Sequence, residues 1–507
     1  MFDSDIPYID HLNRLTPDDV YDGLLGHGLF CDKLPPVLTS ETFLDYCKNT
    51  TNTSSNKQGH DWIRFTYRRN IGRLREFGIP NPFAYEHLVK TISDNWSDLT
   101  QFFAKHTAIQ KYCCSRIHIR KLSGTRAIFK MNYDTPTPDI RLYPATLVGK
   151  RYAVSCDINQ FFPSIYTHAL DWALIEKDQA KKNAQGKICQ WSHDIDRFSQ
   201  LCTNRQTHGL LIGPHASNLL SEIILARVDE ALLTKNAGYR FLHHIDDYTC
   251  YTESYEEAER FILDITEALR AYDLSLNEKK TSIAKLPTTL STDWVRRLQH
   301  LRPQSEMIKL NDVVHYFDEA IGMTLELDNN CAIILYAMKV QAKLTEHMGY
   351  RAKLYFFEMS THLLFLYPYL IPHAEQQVFQ RGMNLLDITS FIPILYSQAI
   401  GQRDYLTCAY SCYFAAKYNG TLTGALCDDA LRSDDCLFKL FAYCFFKKKN
   451  DAEGVNALYD DALALSQNAE DFNSNWLFVY EALNVNDLDG EWKALKKAGV
   501  SFLSNSV

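Results

Sequence analysis

A chain of 507 residues, 46% apolar and 22% charged, has the composition of an ordinary globular protein and the length for about two to four domains. Its net charge of −8 excludes a uniformly basic nucleic-acid coat, so any nucleic acid must be met by local positive patches. Fourteen cysteines without a Cys-x-x-Cys pair exclude a zinc ribbon and predict reduced, mostly buried thiols. The start Met-Phe-Asp-Ser-Asp-Ile has no basic or apolar run, which predicts no signal peptide. The longest apolar run, Leu363 to Pro372, contains two prolines and is about half a membrane span. A soluble, cytoplasmic protein without membrane contact is the expectation.

In chain order, residues 1–60 predict a helical segment. It opens at Thr16-Pro17-Asp18-Asp19, an N-cap with proline and acids in the first turn, and ends in a polar loop from Lys48 to Gly59. Next comes the basic-aromatic stretch Arg64-Phe-Thr-Tyr-Arg-Arg-Asn-Ile-Gly-Arg-Leu-Arg75. Either it tracks a nucleic-acid backbone and stacks bases, or Phe65, Ile71 and Leu74 share the buried face of a helix whose arginines are solvated. Residues 112–160 have a β-like pattern, 163–235 alternate between helix and loop signals, and 255–272 repeat apolar residues at helical spacing through Phe261, Ile262, Ile265 and Leu269. From 291 to 507 helical periodicity dominates, in Cys331–Leu344, Leu354–Leu366, Tyr405–Lys417 and Cys436–Phe446, predicting an all-α, HEAT-like stack. Lys447–Lys449 reads as the dipole partner of a helix C-terminus.

Two acidic features carry the chemistry. Ile245-Asp246-Asp247 lies between Tyr239-Arg-Phe-Leu-His-His and Tyr-Thr-Cys-Tyr-Thr252, which predicts two strands and a tight turn with carboxylates at its tip. Alone, such a pair reads as a solvated turn. Upstream, Tyr152-Ala-Val-Ser-Cys-Asp157 predicts a strand delivering Asp157 at its end, before the chain turns at Pro163 into a helix. Two-metal phosphoryl transfer needs carboxylates on separate rigid strands, holding ions ~3.5–4 Å apart. His243 and His244 are poor candidates for ligands, because hard, oxygen-rich magnesium sites rarely recruit imidazole.

Asp157 with Phe161-Phe162, then Gly209-Leu-Leu-Ile-Gly213, Ile245-Asp-Asp247 and Leu274-Ser-Leu-Asn-Glu-Lys-Lys-Thr281, resemble in order the palm motifs of reverse transcriptases. Ile119-Arg-Lys-Leu-Ser-Gly-Thr-Arg-Ala-Ile-Phe129 resembles their fingers hairpin. The resemblance implies catalytic Asp157, Asp246 and Asp247, with Asp157, Ile158 and Asp246 as metal ligands for Mg2+ or Mn2+. It also implies a nucleotide site of Lys121, Arg126, Phe162, Gly213 and Lys280. Lys121 and Arg126 suit triphosphate oxygens as point charge and fork. Phe162 matches a gate against the ribose 2′-hydroxyl, or is a core aromatic. Gly213 permits close backbone approach, or is a turn glycine before Pro214. Lys280 matches a phosphate-side lysine, or is a surface residue. His244 stands where the family usually has an aromatic residue, and Ile212 where many members have Gln, which points away from standard templated copying.

Phe65 to Pro82, Tyr143 to Tyr152 and the helical C-terminal half in place of a thumb resemble the bacterial abortive-infection (Abi) polymerases. That resemblance implies an α+β palm and fingers over 61–290 and an all-α domain after it. It also implies phage defence and template-independent addition of deoxynucleoside triphosphates. Its single-stranded DNA product would stay covalently attached to a tyrosine of a homo-oligomer, trimer or hexamer. A primer must lie on a segment able to enter the site. Tyr8 is the first candidate and Tyr21 the second, with simple packing as the alternative for Tyr8. The competing functions are a template-directed RNA-dependent DNA polymerase and a non-catalytic interaction or toxin module with a relic palm.

Overall fold

The structure, a computed structural model, describes residues 8–50, 58–108, 119–130, 146–183, 185–288, 292–382 and 384–504. Cys113-Cys114 and the first residues of the Tyr143–Tyr152 run lie outside them. The palm is a four-stranded antiparallel sheet in the order β4-β5-β3-β6, built from β3 (Tyr152–Asp157), β4 (Arg240–His244), β5 (Asp247–Thr252) and β6 (Ser282–Lys285). Helix Tyr255–Arg270 packs on it through Ala258, Phe261, Ile265, Ala268 and Leu269; of the four residues read at helical spacing, Ile262 alone is only partly buried. Helix His215–Lys235 is buried along nearly its whole length and carries a residue that matters below, Asp229.

The basic-aromatic stretch is not a helix. Strands β1 (Ile63–Arg68) and β2 (Leu74–Ile79) form an antiparallel hairpin. Ile63, Phe65 and Tyr67 point inward and Arg64 and Thr66 outward, a period of two. Phe65 stacks on Phe77 at 5.4 Å. Gly72, at φ +73°, makes the turn that a β-branched residue would resist. Ile71 and Leu74, expected inside, are 40% and 61% exposed. Among the described parts of 112–160, the β character comes down to β3 and two isolated bridges, Ile158 to Leu276 and Ile119 to Phe129, the latter tightened by Arg120 N–H donating to the Ile128 carbonyl at 2.7 Å.

The N-terminal helix Pro17–Tyr21 has the predicted cap: Thr16 and Asp19 satisfy each other's backbone N–H groups. From Asp293 to Lys497 the described residues form helices and no strand. Helices Ala332–Lys343, Tyr350–Leu366, Tyr405–Lys417 and Cys436–Lys449 coincide with the apolar segments. Asp387, Asp404, Asp435 and Asp451 each cap a helix by accepting from the N–H two or three positions into it. One buried apolar cluster runs from Leu12 to Phe502. The two ends of the chain meet where Thr39 N–H donates to the Phe502 carbonyl at 2.9 Å. No described helix is long and apolar enough to cross a membrane.

Candidate active site

Antiparallel register places Asp157, the last residue of β3, opposite Asp247, the first of β5. Asp246 sits in the β4–β5 turn, and its carbonyl accepts from Ile158 N–H at 3.0 Å, which ties the turn to the end of β3. Three sequence candidates thus meet on adjacent rigid strands. Burial first, then the charge of Asp246 and a hydrogen bond with Asp157, raises the Asp247 carboxyl to about 6. Burial and the charge of Asp157 raise Asp246, opposed by the positive charges of Arg75 and Lys280. Two neighbouring carboxyls, Asp246 and Asp247, that both resist ionisation are a pair that a cation relieves.

Lys280 reaches this cluster directly. Its Nζ lies 2.6 Å from Asp157 Oδ2. Asn277 adds two bonds to the same residue, its backbone N–H to the Asp157 carbonyl at 2.7 Å and its side-chain amide to Oδ1 at 3.1 Å. Both carboxylate oxygens of Asp157 are therefore held by protein donors. Among the described residues no group of three or more His, Cys, Asp or Glu side chains forms a ready-made metal cage. The donor set fits a different kind of site. Magnesium commonly takes one or two carboxylates and completes its shell with water and substrate phosphates. Asp157 and Asp246 supply hard oxygens. The Ile158 side chain is 1% exposed and carries no ligand atom, so only its main-chain carbonyl suits a metal.

The other expected nucleotide residues are spread more widely. Phe162, half-buried beside fully buried Phe161, lies in the short helix Phe161–Ser164 that follows Asp157, with ring centroids 5.4 Å apart. Its carbonyl accepts from Leu210 N–H at 2.9 Å, joining it to the glycine loop. Gly213 adopts φ +132°, and a Cβ there would meet the Gly78 carbonyl at 3.0 Å. Gly78 N–H in turn donates to the Ile212 carbonyl at 2.9 Å. The glycine loop is thereby locked onto β2. Lys121 and Arg126 are exposed on the Ile119–Phe129 hairpin, whose turn contains Gly124 at φ +76°. Lys121 pairs with Asp19 at 3.2 Å rather than with a palm carboxylate. Tyr8 opens the helix Tyr8–Asn13, and Tyr21 donates its hydroxyl to Glu86 at 3.0 Å.

Three contributors escape a reading along the chain: Asn277 on Asp157, Arg75 from β2 acting on Asp246, and a buried His243–Asp229 pair beneath the turn at 3.0 Å. Asn277 stands three residues before Lys280 in an otherwise charged tract, the only local signal it offers. A cavity of about 480 Å³ with Lys150, Arg151, Tyr152 and Lys285 in its wall opens at the other end of β3, away from the carboxylates.

Residues 103–320 match the family Reverse transcriptase (RNA-dependent DNA polymerase). No curated protein sequence matches the chain. Among solved structures it is similar to apo telomerase from Candida Tropicalis truncated from the C-terminal domain, at 13% identity and TM-score 0.30, covering 50% of this chain and 55% of that one. It is also similar to apo telomerase from Candida Tropicalis, at 10% identity and TM-score 0.33, covering 83% and 73%. A third likeness is telomerase from Candida albicans in complex with a fragment of telomeric RNA, at 10%, TM-score 0.30, covering 81% and 66%. The chain thus spans little more than half of the truncated telomerase chain. The family match coincides with the palm sheet and its three carboxylates, so a reverse-transcriptase-type domain lies over these residues. Reverse-transcriptase domains in general use divalent metal ions.

Proposed function

With a nucleotidyltransferase carrying a reverse-transcriptase domain at 103–320 as the premise, we propose that the chain is a phage-defence DNA polymerase of the abortive-infection kind. It adds deoxynucleotides without a template to one of its own tyrosines and works as a homo-oligomer in the cytoplasm. The observation that carries the chemical part is the register of Asp157 against Asp247 with Asp246 in the intervening turn. In this reading Asp157, the Ile158 carbonyl and Asp246 hold Mg2+ or Mn2+, which supplies charge stabilisation to the attacking and leaving oxygens. Asp247 adds negative charge that draws cations to the turn. Lys280 moves from Asp157 to a phosphate oxygen as the nucleotide enters, and Lys121 and Arg126 close on the triphosphate from the fingers.

Independence from a template is supported by the glycine loop. Ile212 stands in it where many reverse transcriptases carry Gln, so this loop lacks that polar side chain beside Gly213. Priming from Tyr8 is favoured over Tyr21, whose phenol is held by Glu86 and pushed far up in pKa by burial. A nucleophile that cannot lose its proton is a poor primer.

The test is incubation of the purified protein with magnesium and deoxynucleotides, without template or primer. A rise in protein mass that Asp246→Asn abolishes supports the reading. A strict requirement for template turns it to RNA-dependent DNA synthesis, and no incorporation under either condition leaves an interaction module with a relic palm.

A further inference from the structure

The turn that carries Asp246 is strained. Ile245 is β-branched, yet sits at φ +56°, in the left-handed region that such residues avoid. Something must hold it there. The Ile245 carbonyl lies 3.2 Å from His243 Nδ1, and His243 Nε2 lies 3.0 Å from Asp229 Oδ2. The Tyr248 hydroxyl donates to the other oxygen of Asp229 at 3.0 Å, and its ring stacks on the imidazole with centroids 4.6 Å apart and planes 15° off parallel. His243, Asp229 and Tyr248 are 0%, 1% and 1% exposed.

Both partners of the imidazole are oxygen acceptors, a carbonyl and a carboxylate, so both ring nitrogens donate and the ring is an imidazolium. A buried charge of this kind survives only when paired, and Asp229 pairs it. Asp229 projects from helix His215–Lys235, which begins just after Gly213-Pro214. The link therefore runs from a rigid helix through one ring to the strained residue beside the catalytic turn.

We propose that His243, clamped between Asp229 and the Ile245 carbonyl, is a positioning residue that sets the Asp246–Asp247 turn and with it the ability of the palm to take a divalent metal ion. This rests on the two-metal reading of the site. The two bonds of the ring can be separated by substitution. The amide nitrogen of Asn is attached to Cγ, as Nδ1 is, whereas that of Gln lies one atom further, as Nε2 does. His243→Asn keeps a donor for the turn, and His243→Gln keeps one for Asp229.

The experiment is Mn2+ binding to the full chain without nucleotide, followed by electron paramagnetic resonance, beside steady-state incorporation and a thermal melt of each variant. Losing a partner that orients a metal site typically weakens metal binding by roughly 10–100-fold. His243→Gln is expected at about the lower end of that range, with kcat falling in parallel and the nucleotide KM within about twofold. His243→Asn should stay within about threefold of wild type in Mn2+ affinity even where its melt is lower. Tyr248→Phe, which removes one bond to Asp229 and keeps the stacked ring, should weaken Mn2+ by about threefold. It decides the matter if neither histidine variant folds.

Wild-type Mn2+ affinity in folded His243→Gln overturns the proposal. So do equal losses in the two histidine variants that follow their melting temperatures, or an unchanged Tyr248→Phe where that variant decides. If wild type binds Mn2+ no better than Asp246→Asn, the metal reading of the palm fails instead, and the role of His243 falls with it.

Discussion

Lys280 places its ammonium 2.6 Å from Asp157 Oδ2 while keeping half of its side chain in solvent. Asp157 is buried but the lysine end is exposed and screened, so the pair contributes about 1 kcal/mol to the fold, and its larger consequence is for ligands. In the proposed two-metal site the ammonium occupies an oxygen that the ion would take. Lys280→Met should leave the melting temperature nearly unchanged and shift the magnesium dependence of incorporation to lower concentration by about threefold. The maximal rate should fall by roughly tenfold or more, because the phosphate side loses its cation. A magnesium titration of both proteins measures the two effects together. An unchanged curve would show that Lys280 leaves Asp157 in solution.

Asp247 gives the metal-free protein a defined pH dependence. Its carboxyl is raised from 3.8 to about 6, so between those values the folded chain keeps a proton that the unfolded chain has lost. Stability contributed by this group is therefore lost as pH rises through that window. In chelator, Asp247→Asn should melt above wild type at pH ~7.5, and the gap should close as pH approaches ~4. Saturating magnesium should narrow the gap at the higher pH, since the ion relieves the same repulsion. A melting temperature below wild type at pH ~7.5 would contradict the crowding of the three carboxylates.

The parts legible along the chain are those that local patterns specify. Apolar residues running into Asp246-Asp247 and on into alternating residues predict a hairpin with acids at the tip, and the cap at Thr16 marked the start of helix Pro17–Tyr21. The stretch 64–75 misled because its apolar residues satisfy two periods. Phe65, Ile71 and Leu74 fit a helix, while Ile63, Phe65 and Tyr67 fit a strand, and pairing with β2 decided for the strand. Asn277 and Lys280 on Asp157 were out of reach for a different reason. Their partner lies more than a hundred residues away, and only the folded sheet brings β3 beside the tract before β6. Asp229 beneath His243 is of the same kind, a tertiary pairing with no local signature.

His243 should make the palm lose stability in alkali. Burial alone would push its pKa down, but the charge and hydrogen bond of Asp229, with Glu222 nearby, more than offset this and raise it to about 9. With an ordinary value of 6.5, its contribution is fully present below that pH and is lost as pH rises through about 9. Chemical denaturation of wild type and His243→Gln at pH ~6 and ~10 should give a difference that shrinks at the higher pH. A difference independent of pH would mean that the ring is neutral throughout.

Gly213 tests the lock between fingers and palm. Alanine there incurs a backbone penalty of ~1–3 kcal/mol at φ +132° and sets a methyl 3.0 Å from the Gly78 carbonyl. Gly149 is the control, at φ +82° with nothing within 4 Å of the place its methyl would take, so Gly149→Ala bears the backbone cost alone. Gly213→Ala should therefore lose more stability than Gly149→Ala in urea denaturation. It should also speed hydrogen exchange at Gly78, whose N–H the Ile212 carbonyl holds. Equal losses and unchanged exchange at Gly78 would show that the loop carries no such lock.

We propose that Phe162 decides which sugar the site accepts. Of the two adjacent rings after Asp157, Phe161 is 2% exposed and belongs to the core, whereas Phe162 is only half-buried, on a backbone pinned to the glycine loop through Leu210. A ring carried on a backbone fixed in that way, and packed on Phe161 with centroids 5.4 Å apart, is placed to crowd a ribose 2′-hydroxyl in the proposed site. Phe162→Ala should raise ribonucleotide use relative to deoxynucleotide use by one to two orders of magnitude, roughly 1–3 kcal/mol of discrimination, with deoxynucleotide kcat/KM reduced far less. Phe161→Ala should instead lower stability by about 3–5 kcal/mol and leave the sugar ratio unchanged. Competition between the two triphosphates measures the ratio directly. If Phe162→Ala leaves ribonucleotide use negligible, the ring packs as a core aromatic and discrimination lies elsewhere.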